Sequence, residues 1–335
     1  IRKDRWVANL FYRLADKNTR NGIQIFEDFC KSGHMKEKDI LAMRVLGDDA
    51  QIPAYRFENV LLRKNRRFYN GDESNFVNLF ASDYNDDFPD PFVRADILNW
   101  LYQVQALSGP TGDKGLFQVS ELARSLQVYG HSLAVIYREL AYLARKNLVL
   151  CENSAMPIEE GDLVKITIPG ALHLQMLRNV SYLSACAEDT LFKNTEVMTR
   201  ISNRLKFHES DSKLVVALNA RDLVNYLIEY RKEYLTNSDE LVSEKAIISS
   251  VDLNDSLHAV EQWIQADENL KKTISEIDYF TVDMDVDACV VSKNSGGVVC
   301  TIADKDVKGF ISSLEPKYSF PYDVYSKIKP GDILK

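Results

Sequence analysis

The stretch SLAVIYRELAYLARKNLVLCEN, residues 132–153, contains the pattern on which the architecture of the middle of the chain depends. Apolar residues recur in it at the spacing of one helical face: Leu133, Ile136, Leu140 and Leu143. This spacing predicts an amphipathic helix over residues 132–147, with Ser132 as its N-cap residue. The apolar run LVLCEN that follows predicts a strand. A helix that passes directly into a strand is therefore expected here.

The segments on either side extend this pattern. Upstream, residues 92–107 predict a long helix, residues 117–127 predict another, and the turn VYGH at residues 128–131 leads into the next. Downstream, DLVKITI at residues 162–168 predicts a second strand after the loop SAMPIEEG. Two helices joined by a short turn and followed by a β-hairpin are typical of a winged helix-turn-helix. We place this domain at residues 90–170.

The remaining segments predict helices on both sides of this domain and strands at the C-terminal end. Residues 1–89 predict several short helices, one of them from about residue 36 to residue 46. Residues 171–274 predict a helical domain, and residues 275–335 predict short strands rich in Val, Ile and Phe. The sequence therefore predicts a mostly α protein with small β modules, arranged as four domains.

The net charge of −8 in 335 residues is unevenly distributed. Residues 1–89 contain 15 Lys or Arg against 14 Asp or Glu, whereas residues 176–335 contain 19 against 26. The chain therefore lacks the overall basic field of a dedicated nucleic-acid-binding protein. No apolar run reaches the roughly 18 residues of a membrane span, so we expect no membrane association. The five cysteines are scattered and never in CxxC spacing, which favours reduced thiols in a cytoplasmic protein.

No catalytic or metal-binding motif is present in the sequence. It lacks a GxxxxGK(S/T) phosphate loop, a GxGxxG turn after a strand, an HExxH pair and a GxSxG elbow. Its five histidines lie far apart, without paired ligand spacing. We therefore expect this chain to have no enzymatic activity and no metal site of its own.

The segment RLADKNTRNGIQIFEDFCKSGHM, residues 13–35, resembles the helical lid subdomain of AAA+ and related STAND-type ATPases. In that family a Gly-Asn-x-Arg turn opens a helix with apolar residues at the positions of Ile23 and Phe26. Asn18 and Arg20 match the turn, whereas Lys17 stands where the family has glycine. The resemblance implies that residues 1–89 form a lid and that Arg20, with Asn18, senses nucleotide. An arginine on the surface of an ordinary helix remains the alternative.

The lid resemblance implies a function for the whole chain. A winged helix also follows the lid in many of these ATPases, so an ATPase core with bound ATP-Mg would precede Ile1. The chain would then be a non-catalytic regulatory, assembly and partner-recognition region of a cytoplasmic ATPase, by family analogy in a prokaryotic defence system. Its partners would be its own upstream ATPase domain and a second copy or another protein. The alternative is a nucleic-acid-binding module of a replication-initiator-like ATPase.

Two basic segments are candidates for binding phosphate or a partner. The run LLRKNRR predicts a phosphate contact, of a nucleotide or a nucleic acid, or else a solvated helix end; its basic residues are Arg63, Lys64, Arg66 and Arg67. The helix over residues 132–147 would present six outward residues to DNA or to a protein: Ser132, Tyr137, Arg138, Tyr142, Arg145 and Lys146. The acidic wing, with Glu159, Glu160 and Asp162, would repel phosphates, which favours protein packing slightly over DNA reading.

The C-terminal strands, residues 275–335, resemble an OB-type barrel of the ribosomal S-one class. The motifs of that family fall on Gly297–Val299, Gly309–Ile311 and Gly331–Asp332. The resemblance implies that Phe310 and Tyr318 would stack on bases if the barrel binds single strands. Residues 275–335 contain 7 Lys against 10 Asp or Glu, which favours a protein-contact domain over an RNA-binding one.

Overall fold

The protein, described by a computed structural model, divides into two compact units, residues 1–263 and residues 264–335. Twelve helices and two small antiparallel sheets lie in the described part of the chain, which confirms the prediction of a mostly α protein with small β modules. The division into four domains stays a prediction. The structure describes residues 5–34, 41, 45, 54–82, 90–107, 115–153, 157–207, 212–234, 250–278, 287–294, 297–302, 308–312 and 327–334.

The N-terminal part of the first unit is helical. It contains α1 (Arg5–Leu14), α2 (Thr19–Lys31) and α3 (Ala54–Arg63), and α2 packs against both of the others. The ring of Phe57 on α3 lies 4.9 Å from that of Phe11 and 5.4 Å from that of Phe29, measured between ring centroids. These aromatic contacts join the three helices. The helix predicted over residues 36–46 lies outside the described residues, apart from two exposed helical positions, Leu41 and Val45.

The buried face of α2 differs from the predicted one. The lid resemblance places apolar residues of this helix at Ile23 and Phe26, but the structure buries Ile25 and Phe29. Ile23 is 63% exposed and Phe26 is 50% exposed. Positions 25 and 29 are one helical turn apart, so their side chains point to the same side of α2. That side faces α1 and α3, and the side of Ile23 and Phe26 does not.

The middle of the first unit combines three helices with a three-stranded antiparallel sheet of order β1-β3-β2. In chain order these elements are α4 (Val93–Leu107), β1 (Phe117–Gln118), α5 (Val119–Val128), α6 (Leu133–Arg145), β2 (Val149–Cys151) and β3 (Leu163–Ile166). The predicted helix over residues 117–127 is corrected at its start, because Phe117 pairs with Val164 of β3. The ring of Phe117 also makes an edge contact with Trp100 on α4, which holds this short strand against the sheet edge.

The core of this region forms on α6. Ile136, Leu140 and Leu143 are fully buried, as the helical spacing predicts, whereas Leu133 is exposed. Ser132 occupies the N-cap position but its side chain makes no capping hydrogen bond. The next helix starts so close to β2 that a Cβ atom at Gly170 would lie 2.2 Å from the carbonyl oxygen of Leu148. Glycine is therefore required at that position.

The rest of the first unit is a helical layer. It consists of α7 (Ile168–Met176), α8 (Val180–Glu188), α9 (Thr195–Phe207) and α10 (Lys213–Tyr234). The α8 and α10 helices bury residues on most of their circumference, because α8 packs against α10 and also against α3. The helix α11 (Asn254–Gln265) follows and spans the point at which the two units divide.

The second unit contains one helix and a four-stranded antiparallel sheet of order β6-β5-β4-β7. Its elements are α12 (Glu268–Asp278), β4 (Ala288–Asn294), β5 (Gly297–Ile302), β6 (Lys308–Ser312) and β7 (Ile333–Leu334). One face of the sheet buries Val290, Val298 and Cys300 against Ile328. Among the described residues the sheet does not close into a barrel. No described helix in either unit has the length and apolar character needed to cross a membrane.

Candidate functional site

The turn between α1 and α2 is the candidate nucleotide-sensing site. Asp16 and Lys17 both have positive φ angles, 49° and 60°, so the chain reverses through two left-handed residues. Asn18 then takes an extended conformation and caps α2. Its side-chain oxygen accepts hydrogen bonds from the backbone N–H groups of Arg20 and Asn21, at 3.0 and 3.4 Å. These bonds satisfy two of the amide groups that a helix N-terminus leaves unpaired.

Arg20 lies in the first turn of α2 and is exposed. Its guanidinium makes no hydrogen bond or ion pair within the described part of the chain. A positive charge at a helix N-terminus is unfavourable, because this end carries the positive pole of the helix dipole. The position of Arg20 therefore does nothing evident for the stability of α2. The turn places Asn18 and Arg20 next to each other, with Asn18 determining the backbone and Arg20 carrying the free charge.

An apolar groove of about 490 Å³ lies beside this turn. Tyr12 of α1 and Ile23 and Phe26 of α2 line it, and all three side chains are at least half exposed. Lys17 and Asn18 form part of the same wall. Sequence reasoning missed Tyr12, which occurs on the exposed side of an ordinary amphipathic helix. The exposure of Ile23 and Phe26 required the structure, because helical periodicity alone did not identify the stripe that packs inward.

The basic cluster at residues 61–67 is largely occupied by partners within the protein. Arg63 is buried, donates to Asn59 Oδ1 at 2.7 Å and forms an ion pair with Glu188 at the end of α8. Burial raises the pKa of Glu188, and the charge of Arg63 opposes that rise. The expectation that Arg63 contacts phosphate is therefore corrected, because its guanidinium does not reach solvent.

The other three basic residues of that cluster are at or near the surface. Lys64, at φ 52°, lies 3.4 Å from Asp28 of α2. Arg66 forms an ion pair with Glu73, and the guanidinium of Arg67 lies 5.0 Å from the ring centroid of Phe68. Surface pairs of this kind contribute little to stability and can exchange for other partners. These three side chains thus remain candidates for an anionic partner, but without Arg63 they are fewer than the sequence predicts.

The outward face of α6 is partly covered by the protein itself. Tyr142 donates a hydrogen bond to Asp72 Oδ1 at 2.6 Å, and Lys146 donates to the backbone carbonyl of Asp72. Arg138 pairs with Glu139 at 2.9 Å. The remaining predicted contact residues lie on the same face: Ser132 and Arg145 are exposed and Tyr137 is half-buried. A DNA groove would therefore have to displace the segment that contains Asp72.

Two buried histidines take part in the internal structure of the first unit. His131 lies between two carboxylates, with Nδ1 2.5 Å from Asp90 and Nε2 3.0 Å from Asp96. Burial lowers its pKa, but the hydrogen bonds and charges of the two carboxylates raise it to about 9. His131 is therefore an imidazolium at neutral pH. Asp96 in turn accepts a hydrogen bond from the Val251 amide and lies 3.4 Å from Arg231. This network therefore joins α4 to the turn before α6, to α10 and to the segment after α10 that contains Val251.

His173 on α7 has the opposite state. Its Nδ1 donates to the Pro169 carbonyl at 2.7 Å, and its Nε2 accepts from the Val77 amide at 2.9 Å. Complete burial without a carboxylate partner lowers its pKa to about 4, so the ring is neutral. Both histidines position backbone and carboxylates, and neither opens to the α1–α2 groove. Sequence reasoning noted only that the histidines are far apart, which is no signal of their partners.

The predicted stacking residues fall in or near the second unit's sheet. Phe310 lies in β6, where its backbone is paired with Val299 of β5. Tyr318 lies outside the described residues. The core face of this sheet is made by Val298 and Cys300, the neighbours of Val299 in β5. All five cysteines of the chain are free, as predicted.

In the part of the chain that the structure describes, no group of three His, Cys, Asp or Glu side chains converges to hold a metal ion. Comparison of the chain with protein-family models, with curated proteins and with solved structures finds no match. The site on the α1–α2 turn is thus characterised by its own geometry: a capped helix N-terminus, an exposed guanidinium that no described residue pairs with, and an apolar groove. Such a surface can bind an anion or a partner, and it contains no nucleophile–base pair.

Proposed function

We propose that this chain is a non-catalytic regulatory, assembly and partner-recognition region of a cytoplasmic AAA+/STAND-like ATPase. One observation carries the proposal: Arg20 lies exposed, and without a partner among the described residues, at the capped N-terminus of α2 beside an apolar groove. The resemblance of residues 13–35 to the lid subdomain of those ATPases gives this arginine a role. It would sense the nucleotide state of an ATPase core elsewhere in the same polypeptide.

The conformation of Lys17 supports the resemblance. The family has glycine at this position, and Lys17 has a φ angle of 60°, in the left-handed region that glycine adopts without strain. A lysine in this conformation costs some conformational energy, which the hydrogen bonds of the turn offset. The Asn18 amide donates to the Ala15 carbonyl at 2.8 Å, which closes that turn. The backbone shape that the motif needs is thus compatible with this sequence.

The chemistry of Arg20 suits a phosphate group. Guanidinium is permanently charged and offers two parallel N–H donors to phosphate oxygens. The positive end of the α2 dipole adds to the attraction for an anion. ATP-Mg would be held by the ATPase core, whose phosphate loop this chain lacks. Arg20 would contribute one charge-assisted contact and thereby couple the orientation of the lid to the bound nucleotide.

The remaining modules suit contacts with proteins. We infer that α4, α5, α6 and the sheet β1-β3-β2 form a winged helix, and that the sheet β6-β5-β4-β7 is part of an OB-like domain. Asp72 is hydrogen-bonded to Tyr142 and Lys146 on the outward face of α6. This internal cover disfavours insertion of α6 into a DNA groove and favours a role in assembly. We therefore propose that these modules bind a second copy of the chain or another protein.

A second candidate function is a nucleic-acid-binding module of a replication-initiator-like ATPase. The exposure of Arg145 at the end of α6, near Lys146, is the observation that favours it. Steep salt-dependent affinity for DNA would support this second function. Concentration-dependent self-association without such affinity would support the first.

The test of the first function uses the complete polypeptide with Arg20→Ala. The lost contact is charge-assisted, so we expect nucleotide-dependent assembly or turnover to weaken by about 1.5–3 kcal/mol of coupling free energy. ATP turnover and the oligomer distribution with and without ATP-Mg measure this effect. Arg124→Ala is the matched control, because Arg124 is also an exposed arginine on a helix, α5. If the Arg20 variant has the turnover and oligomer distribution of the parent protein, the sensing role is wrong.

A further inference from the structure

A second cavity, of about 330 Å³, lies in the first unit where α6 meets the segment around Asp72 and the end of α8. Its walls carry three arginines and three carboxylates: Arg94, Arg138, Arg145, Asp72, Glu139 and Asp189. The positive and negative side chains are equal in number, so the cavity has no net charge that would attract a polyanion such as a nucleoside triphosphate. Its volume is at the lower end of the range of small-molecule sites.

The three arginines of the cavity are not equally available to a ligand. Arg94 donates to Glu139 at 2.6 Å and to the Asn78 carbonyl at 3.1 Å, and its guanidinium lies 3.9 Å from the ring centroid of Tyr142. Arg138 pairs with the other oxygen of Glu139. Arg145 is exposed and makes no hydrogen bond or ion pair with any described residue. Among the described residues of the cavity, Arg145 is therefore the cation that is open to a ligand.

The carboxylates also differ. Both oxygens of Glu139 are used by the two arginines. Asp72 accepts from the Tyr142 hydroxyl through one oxygen. Asp189 accepts from the Gly71 amide at 3.0 Å. Burial raises the pKa of its carboxyl, and the hydrogen bonds from Gly71 and Asn78 and the charge of Arg94 oppose that rise. Asp189 forms no ion pair with any described residue, so this half-buried carboxylate is open to the cationic group of a ligand.

A third feature is independent of these charges. Ser82 lines the same cavity, and its hydroxyl oxygen is buried without a hydrogen-bond partner among the described residues. Buried hydroxyl groups in folded proteins are normally paired, so an unpaired one next to a cavity indicates a missing polar group. A ligand with a polar atom near Ser82 would satisfy it.

We propose that this cavity binds a small zwitterion of the α-amino acid class. The ligand's carboxylate would pair with Arg145, its ammonium group with Asp189, and one of its polar atoms with the Ser82 hydroxyl. Arg145 and Asp189, the two charged groups of the cavity without an ion pair among the described residues, match a ligand that carries one charge of each sign. The binding site joins α6 to the segment that covers it, so occupancy would hold the cover on α6.

The experiment is calorimetric titration of this 335-residue chain with each of the twenty L-amino acids, with inorganic phosphate and ATP-Mg as anionic comparators. We expect at least one amino acid to bind with a Kd below about 1 mM. Its N-acetyl derivative and its methyl ester, which each lack one charge, should bind at least about tenfold more weakly, as expected for a lost charged hydrogen bond. Binding of phosphate or ATP-Mg without binding of any amino acid would overturn the proposal, as would no binding at all.

Two variants locate the site. Arg145→Gln removes the open cation from an exposed position, and Asp189→Asn removes a charge but keeps an oxygen that can accept from Gly71. Each should raise the Kd for the amino acid by about tenfold or more, and Arg124→Gln, an exposed position outside the cavity, should not. Affinity unchanged in both cavity variants would show that the amino acid binds elsewhere and would contradict this assignment.

Discussion

The first turn of α2 and the last turn of α3 each carry one arginine, and the two side chains have opposite environments. Arg20 on α2 is exposed and unpaired within the described residues. The Arg63 side chain on α3 is 2% exposed and forms an ion pair with Glu188, whose side chain is 1% exposed. The charge of the two residues is the same. The difference is that Arg63 is buried against a carboxylate distant in sequence, whereas Arg20 is exposed. Of the two, it is Arg20 that is open to a ligand.

The helix ends explain part of the difference. Arg63 lies in the last turn of α3, where a positive charge interacts favourably with the negative pole of the helix dipole. Arg20 lies at the opposite pole of its helix, where the same charge is disfavoured. Arg63 thus stabilises the fold in two ways, through the dipole of α3 and through its ion pair with Glu188. Arg20 contributes to stability in neither of these ways within the described structure.

The largest expected effect comes from breaking the buried pair. Arg63→Ala leaves the Glu188 carboxylate buried without its partner, and we expect the free energy of unfolding to fall by about 3–5 kcal/mol. Arg20→Ala is the matched comparison and should change it by no more than about 0.5 kcal/mol. Urea denaturation of both variants at neutral pH measures the two values. Equal costs for the two arginines would show that the contrast in burial has no energetic meaning.

The next effect concerns the two buried histidines, whose pKa values move in opposite directions. The pKa of His131 is raised from 6.5 to about 9, so its contribution is complete below pH 6.5 and is lost as the pH rises through 9. The pKa of His173 is lowered from 6.5 to about 4, so its contribution is present above pH 6.5 and is lost as the pH falls through 4. At about 1.4 kcal/mol per pKa unit, each contribution is roughly 3 kcal/mol.

The two contributions are separated by comparing His131→Gln and His173→Gln with the parent protein in urea denaturation across this pH range. The difference in unfolding free energy between parent and His131→Gln should shrink as the pH rises from 6.5 to 9. The difference for His173→Gln should shrink as the pH falls from 6.5 to 4. Differences that stay constant with pH would contradict the assigned charge states of the Asp90–His131–Asp96 network and of His173.

The smallest effect sharpens the description of the α2 turn. Asn18→Ala removes the side-chain oxygen that accepts from two amides of the first turn, and we expect a loss of about 1 kcal/mol in unfolding free energy. Asn18→Asp keeps an acceptor and should retain most of the stability. Thermal unfolding of both variants is the measurement. A similar loss in the Asp variant would mean that the cap hydrogen bonds do not hold the turn.

The predictions that succeeded depend on local spacing. The stripe Ile136, Leu140 and Leu143 is buried, and the strands after it form at residues 149–151 and 163–166. The predictions that failed depend on partners distant in sequence. Residues 117–118 become a strand only because β3 lies beside them. Propensity in so short a segment is too weak to decide between helix and strand without that edge.

The candidate site divides in the same way. Asn18 as the cap of α2 could be expected from its position before a helical pattern, because the hydrogen bonds of a cap join residues two or three apart. The exposure of Ile23 and Phe26, and hence the groove, could not, since a helix with apolar residues on several sides can pack by any of them. The cavity beside α6 combines residues from four separate segments, so no sequence window contains it.

The sequence by itself determined most of the helical and strand segments and the charge that each residue carries, because these depend on contacts within a few residues. The strand β1 is an exception, since it forms only beside β3. The tertiary structure alone decided which charges are free. Arg63 is 125 residues from Glu188 in the chain, and the fold brings their side chains together in a buried pair. Arg20 meets no such partner in the described structure. Burial of a charge depends on the packing of whole helices against each other, and that packing is a property of the assembled core.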